Sequence, residues 1–316
     1  MTARHPTLHQ LRIFTVLARH LNMTRAAAEL HQTPSALSIQ IKQLSEHTGE
    51  QLYEQMGKKL FLTAAGEAVA RAGNDILRRL DALNQELDAH RNLDVGTLNL
   101  SIISTAEYFA PRMVGIFCGE HNGIEVHLEI ANRDTILERL KQNLDDIYIM
   151  GQVPDDIDGV AHPFLDNPIV VLGPSNHPLA NEKNIAPEKL SEEAFILREE
   201  GSGTRLTAQN FFQDRGIQLK VRMTMSSNEA VKQLVAGGLG LSILSQNTIA
   251  AEANAGNIAI LDVAGFPIIR QWHAVHRKNK RLTAVAQKFV EFLLRPDINT
   301  ACLNSKIISP SLIKKL

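Results

Sequence analysis

The chain of 316 residues is poor in cysteine and in aromatic side chains, with two cysteines, one tryptophan and three tyrosines. Cys118 and Cys302 are too few for a disulfide framework and fit a reducing compartment. No long apolar run is present, so no membrane-spanning helix is expected. The first residues lack the apolar core of a secretory leader and pass into an amphipathic helix expected over residues 8–21, with Leu11, Phe14, Leu17 and Leu21 on one side. A cytoplasmic protein is the expectation. The twelve histidines show neither H-x-H nor H-E-x-x-H spacing, and Cys118 falls in an apolar helical pattern. Neither a metal site nor an activated nucleophile is legible, so no catalytic residue, metal or resident cofactor is expected. The chain also lacks net charge, at -1, but residues 1–62 carry seven Lys/Arg against four Asp/Glu, a local excess of three positive charges that permits phosphate contact. With 44% hydrophobic residues, the chain has the makings of about two or three globular domains.

Residues 24–41, TRAAAELHQTPSALSIQI, read as two short helices joined by a tight turn, the outline of a helix-turn-helix. Ala26, Ala27 and Ala28 permit close approach of the two helices. At about 100° per residue, Leu37, Ile41 and Leu44 share the inner face of the second helix, while Ser35, Ile39 and Lys42, flanked by Ser38, lie outside. An isoleucine on a polar outer face suits contact with a thymine methyl, and the serines suit base edges or phosphates; the alternative is an ordinary amphipathic core helix. Two strand-like runs in LYEQMGKKLFLT then flank a hairpin tip carrying Lys58 and Lys59, placed as a wing for phosphate contact.

A long helix is expected from Thr63. Gly66, Val69, Gly73, Ile76, Leu80, Leu83 and Leu87 recur at alternating steps of three and four, the period of a seam between two helices. A homodimer reading a dyad operator follows; the alternative is that the stripe packs on its own winged domain. After about residue 93 the pattern becomes α/β, with strand-like segments at 97–103, 124–130, 146–150, 168–173, 194–198, 219–224, 240–244, 258–262 and 268–276. Their number implies two lobes with largely parallel sheets. The expected division is a winged helix-turn-helix over 1–62, a linker helix over 63–92, one lobe from 93–164 and 266–297, a second from 165–265, and a C-terminal tail over 298–316.

Ligands in such sheets sit beyond the carboxyl ends of strands, at helix N-termini. Four turns qualify: Ser104-Thr105-Ala106-Glu107, Asn132-Arg133, Gly201-Ser202-Gly203-Thr204-Arg205 and Ser226-Ser227-Asn228-Glu229. Two of them also fit S-x-x-E capping boxes, whose serines would simply cap helices. In the glycine-rich turn, backbone approach combines with a hydroxyl and a guanidinium suited to an anion.

The motifs SIQIKQL, LYEQMGKKLFLTAAGE, STAEYFAPRM, ANR, GSGTR, SSNEAVKQLVAGGLGLS and WHAVHRKNKRL together resemble the LysR-type transcriptional regulators and, among them, the CbbR subgroup that controls RuBisCO and Calvin-cycle operons. The resemblance spans residues 1 to about 295. It implies a multidomain fold: an all-α winged helix-turn-helix, a long dimerising linker helix and an α/β, two-lobed, periplasmic-binding-protein-like effector domain. It implies DNA contacts from Ser35, Ser38, Ile39, Lys42, Lys58 and Lys59. Ile39 stands where many members have arginine and the subgroup an apolar residue, and Pro34-Ser35 replaces a common Gln-Pro pair. The implied effector cleft comprises Ser104, Thr105, Arg133, Gln152, Ser202, Gly203, Thr204, Arg205 and Asn228, with Gln152 where the subgroup often has arginine. The effectors implied are small anions: a phosphorylated sugar or acid, or NADPH. The resemblance further implies a tetramer built as a dimer of dimers, transcriptional activation and engagement of RNA polymerase. The competing readings are a LysR-type regulator of another operon, responding to a small carboxylate, and a transporter's solute-binding protein, which would need an export signal and have no use for a helix-turn-helix.

Overall fold

In a computed structural model, which describes residues 5–57, 59–90, 95–151, 153–154 and 157–298, the chain forms two compact units: residues 1–93 with 141–144, and residues 94–140 with 145–316. Lys58, Gln152 and nearly all of the expected tail lie outside the described residues.

The first unit starts where Thr7 and Gln10 cap each other reciprocally, which fixes the beginning of α1 (Leu8–His20). Leu11, Phe14 and Leu17 are buried, whereas Leu21 terminates the helix in a left-handed conformation and is exposed, so it leaves the expected stripe. Asn22 caps α2 (Met23–Glu29) and Thr33 caps α3 (Pro34–Thr48), with Pro34 in the first turn where its missing N–H is harmless. Ala26 and Ala27 are buried against the neighbouring helices, but Ala28 faces outward, one position past the contact. Leu37, Ile41 and Leu44 pack inward with Leu52. The hairpin pairs β1 (Tyr53–Met56) with β2 (Lys59–Leu62), and Met56 faces Lys59 across the turn.

The linker is a single helix, α4 (Ala64–His90). Its seam divides in two. A Cβ on Gly66 would stand 1.8 Å from the carbonyl oxygen of Leu52, and one on Gly73 would stand 2.8 Å from Thr15 Cγ2. Val69 packs on the same winged core. Gly66, Val69 and Gly73, all three expected in the seam, thus belong to the contact of α4 with its own unit. Ile76, Leu80, Leu83 and Leu87 remain exposed in the chain.

In the second unit all nine expected strand segments form: β3 (Val95–Ile103), β4 (Gly123–Ala131), β5 (Ile147–Met150), β6 (Gly159–Pro174), β7 (Ala194–Arg198), β8 (Lys220–Met225), β9 (Ser242–Ser245), β10 (Ile258–Leu261) and β11 (Ile268–Arg277). The helices are α5 (Ala110–Glu120), α6 (Arg133–Lys141), α7 (Gly203–Gln213), α8 (Asn228–Ala236), α9 (Ala250–Asn254) and α10 (Ala284–Leu293). The sheet is mixed rather than largely parallel. The order β10-β6-β11-β5-β3-β4 is parallel only among β3, β4 and β5, with β9 also pairing on β6; β7 and β8 form a parallel pair of their own.

β6 extends nine residues ahead of the expected 168–173, since its first half, with Pro163, lies at a sheet edge where a missing N–H is tolerated. β11 pairs antiparallel along its whole length with residues 159–169 of β6, and the two strands run through two cores. One core gathers Leu98, Leu100, Ile102, Phe117, Leu165, Trp272 and Phe289; the other, Ile169, Val171, Phe195, Phe212, Ile243 and Leu261. The two strands pass from one core to the other near Asn167 and Arg270, which face each other in register.

The two kinds of glycine make opposite expectations. Gly66→Ala forces a backbone shift of Leu52 and is expected to destabilise by about 1–3 kcal/mol despite the better helix former. Gly115→Ala, inside α5 with nothing within 4 Å of the new methyl, is expected to stabilise by about 0.5–1 kcal/mol. Thermal unfolding followed by circular dichroism compares them; equal effects of the same sign would contradict the packing.

Candidate functional site

The outer face of α3 is built from its N-cap onward. Thr33 accepts the N–H of Ala36, which sets the helix so that Ser35, Ser38, Ile39 and Lys42 all project into solvent. Ile39 is 57% exposed, large for an isoleucine held by a rigid helix whose other face is fully buried. An exposed β-branched side chain among hydroxyls and an ammonium offers a methyl contact flanked by hydrogen-bonding groups, which fits a major-groove surface. Behind it, Glu29 binds both Arg19 at 2.8 Å and His20 at 2.6 Å, tying α2 to the end of α1; these bonds hold the Glu29 carboxyl below its ordinary range despite partial burial. Lys59 starts β2 and is exposed beside the hairpin turn.

The second site is a cleft in the other unit, about 570 Å³ with its open mouth included, lying between the two cores. Its walls come from the ends of β3 and β7, the starts of α6 and α7, and the floor strands β6 and β11. Of the residues expected there, Ser104, Thr105, Arg133, Ser202, Gly203 and Thr204 line it. Asn132 caps α6 through the N–H of Thr135, and Ser202 caps α7 through the N–H of Arg205, so each turn presents a helix N-terminus to the cleft. Gly201 takes φ +83°, the left-handed region that favours glycine, and sits beside Asp134, whose exposed carboxylate would have to shift from an added Cβ 2.8 Å away.

Two expected residues do not line the cleft. Arg205 turns away: its guanidinium donates to the carbonyl of Arg198 at 3.0 Å and meets Glu200 at 3.5 Å, so it braces the loop. Asn228 is buried behind the wall, while Ser227, not Ser226, caps α8. Their place is taken by Arg198, Asn167 and Arg270, which lie outside the motifs, and by Trp272, which opens the motif WHAVHRKNKRL without an expected place in the cleft.

Arg198, at the end of β7, is only 3% exposed. Its Nε and one Nη grip both oxygens of Glu199 at 2.8 and 2.9 Å. The remaining donors reach Ser104 Oγ and Thr105 Oγ1 at 3.4 Å, and Asn228 Oδ1. Arg133 and Arg270 complete the basic lining, so three guanidinium groups face one lining carboxylate, Glu199. Arg270 Nε and Trp272 Nε1 are buried donors without a protein partner, and Asn167 Oδ1 is a buried acceptor without one. The signal for the floor residues was the period-two face of β11, which puts Arg270 and Trp272 on one side of the strand.

Beside the cleft, the Lys232 ammonium is buried between Glu229 at 2.8 Å and Glu252 at 2.7 Å and stands 4.7 Å from the Tyr108 ring. Burial, with the carboxylates of Glu107, Glu229 and Glu252, pushes the Tyr108 hydroxyl well above the ordinary phenol range, so it stays a neutral hydroxyl. Among the described residues, no group of three or more His, Cys, Asp or Glu side chains is placed to hold a metal ion, and no helix is long and apolar enough to cross a membrane.

Comparison with known proteins identifies the two domains that carry these surfaces. Residues 8–67 match the model of the bacterial regulatory helix-turn-helix protein, lysR family, and residues 91–296 match the LysR substrate binding domain. A RuBisCO operon transcriptional regulator from Acidithiobacillus ferrooxidans is 53% identical over 293 residues, covering 93% of this chain and 95% of that one. The HTH-type transcriptional activator CmpR of Synechocystis is 44% identical over 294 residues, covering 93% and 97%. Among solved structures, the regulatory domain of Synechocystis PCC6803 CcmR in complex with 2-PG superposes with a TM-score of 0.61 at 43% identity, covering 66% of this chain and 98% of that one.

The two parts of the DNA surface are separable by experiment. Ile39→Ser is expected to lose discrimination at one or two base pairs, by about 1 kcal/mol or more each. Lys59→Ala is expected to weaken binding to all sequences alike and to reduce the salt slope by about one unit. Fluorescence anisotropy on operator and scrambled duplexes across a salt series separates the two; an Ile39→Ser protein with unchanged selectivity would make the exposed isoleucine incidental.

Proposed function

The chain belongs to the LysR family of bacterial DNA-binding transcriptional regulators, and from that premise we propose that it activates a carbon-fixation operon in response to a small phosphorylated acid taken into the cleft at Arg198. The observation that carries the effector class is the charge of the lining: three guanidinium groups against one carboxylate, joined by two helix N-termini. That surplus suits a ligand with two or more negative charges, and a phosphate monoester brings about -1.5 to -2 at neutral pH. A second anionic end would find Arg270 Nε and Trp272 Nε1 unpartnered on the floor. 2-Phosphoglycolate, the compound with the Synechocystis relative, has this make-up, and the RuBisCO operon regulators among the relatives support the operon class.

Dimerisation is assigned to the free half of the α4 stripe, Ile76, Leu80, Leu83 and Leu87, which keeps the three-and-four period and is not used within its own unit. A two-fold dimer reads a dyad operator. Assembly to a tetramer and contact with RNA polymerase belong to the same proposal, as does a cytoplasmic location.

Isothermal calorimetry against phosphoglycolate, phosphoenolpyruvate, ribulose bisphosphate, NADPH and unphosphorylated carboxylates tests the effector. A phosphorylated ligand is expected to bind, and Arg198→Lys, which keeps the charge but not the planar fork, is expected to weaken it about tenfold or more. Binding of a carboxylate alone would move the chain to another operon class. For the seam, Leu80→Asp puts a carboxylate into the helix pair at a cost of several kcal/mol, and light scattering is expected to show dissociation; an unchanged assembly would place the interface elsewhere.

A further inference from the structure

Glu199 is the one lining carboxylate of an otherwise basic cleft, and it holds Arg198 through both oxygens in the bidentate geometry by which a guanidinium binds an external carboxylate or phosphate. A guanidinium has five N–H donors. Those of Arg198 are engaged by Glu199, Ser104, Thr105 and Asn228. An entering anion therefore gains Arg198 only by displacing a partner. The hydroxyls of Ser104 and Thr105, at 3.4 Å, can turn and donate to an anion themselves, and Asn228 is buried and neutral; Glu199 is the one partner whose charge competes with the anion, and its side chain is 24% exposed.

We propose that Glu199 is an internal competitor for the effector: its carboxylate occupies the anion-binding face of Arg198 until a ligand displaces it, and this sets the concentration at which the cleft responds. The inference rests on the reading of the cleft as an anion site. It makes a quantitative distinction. If Glu199 leaves Arg198 when ligand enters, every ligand that reaches Arg198 meets the same opposing step, whatever its own charge. Removing the carboxylate then tightens binding of all such ligands by one common factor. If Glu199 instead stays beside the ligand and repels it, the gain grows with ligand charge. If Glu199 only orients Arg198, its loss weakens binding.

The test is calorimetry of the full chain with phosphoglycolate and its O-sulfo isostere, which has the same shape and one negative charge fewer on the ester group. Glu199→Gln keeps the side chain's size and one acceptor. It is expected to bind both probes about tenfold or more tighter than the parent, by equal factors. Glu199→Ala, which removes the acceptor as well, is expected to show the same direction, and unchanged circular dichroism melts confirm that both variants fold. Unchanged or weaker binding in both variants overturns the competitor role while leaving the cleft's anion reading intact. A gain confined to the phosphate ester also overturns it, in favour of simple repulsion. If neither probe binds the parent or the variants, the anion reading itself fails and the inference with it.

Discussion

A guanidinium taken out of water must find partners for its N–H groups, and the arrangement of the cleft follows from how Arg198 does so. Its position at the end of a buried strand leaves it 3% exposed, where an unpaired charge would cost several kcal/mol. The partners come from both sides: hydroxyls of the turn after β3, the side chain of Asn228 at the start of α8, and the adjacent Glu199. Each places a constraint on its own element. The turn over Ser104–Tyr108 must end β3 with hydroxyls toward β7, and α8 must begin at Asn228. Ser227 is thereby free to cap that helix, so adjacent residues of one turn divide capping from ion binding.

The second constraint is the pairing of β6 with β11. Because both strands pass through two cores, their crossover needs residues tolerated between apolar layers, and Asn167 and Arg270 stand opposite one another there. A register shift between Trp272 and His273 adjusts the pairing just beyond it. The floor of the cleft is thus a by-product of joining two lobes with continuous strands. Polar groups at the join are available to a ligand because the strands' own hydrogen bonds do not use side chains.

The helix-turn-helix, hairpin and linker were legible because each is specified by residues within a few positions: Thr33 and Pro34 start α3, and its 3.6-residue period separates Leu37 and Ile41 from Ile39. The α4 stripe was legible as a period but not as a partner, since Gly66 and Gly73 fit equally a second copy or the chain's own Leu52 and Thr15, and only the tertiary contact decides. The glycine-rich turn lies at the cleft while its arginine turns away from it. Gly203, Thr204 and Thr207 share the cleft-facing side of α7, and Arg205 falls about 100° past Thr204, toward β7 and β8. Arg198 was invisible to motif reading because its hydroxyl and amide partners lie 93, 94 and 30 residues away in sequence. β6 was half legible, since its first half is an edge strand in which Gly159, His162, Pro163 and Asp166 interrupt the apolar residues, so no continuous apolar run marks it.

The bonds that cross between the lobes also limit what a ligand can do. Lys232 over Tyr108, and Arg198 on Ser104 and Thr105, join the turn after β3 to the opposite lobe on one side of the cleft, while β6 and β11 join the lobes through its floor. With two connections already made, a rearrangement available to the lobes is a pivot about that edge rather than a wide separation. A ligand biases such a pivot only by the difference in its contacts between the two positions. Contacts to Arg198 alone act on that difference only through its long bonds to Ser104 and Thr105. Groups that bridge α7 of one lobe and the start of α6 of the other change with the pivot, and each tenfold preference for one position is worth about 1.4 kcal/mol. An effector with two separated polar ends, one for each lobe, is therefore better suited to bias such a pivot than a single anionic group of the same charge.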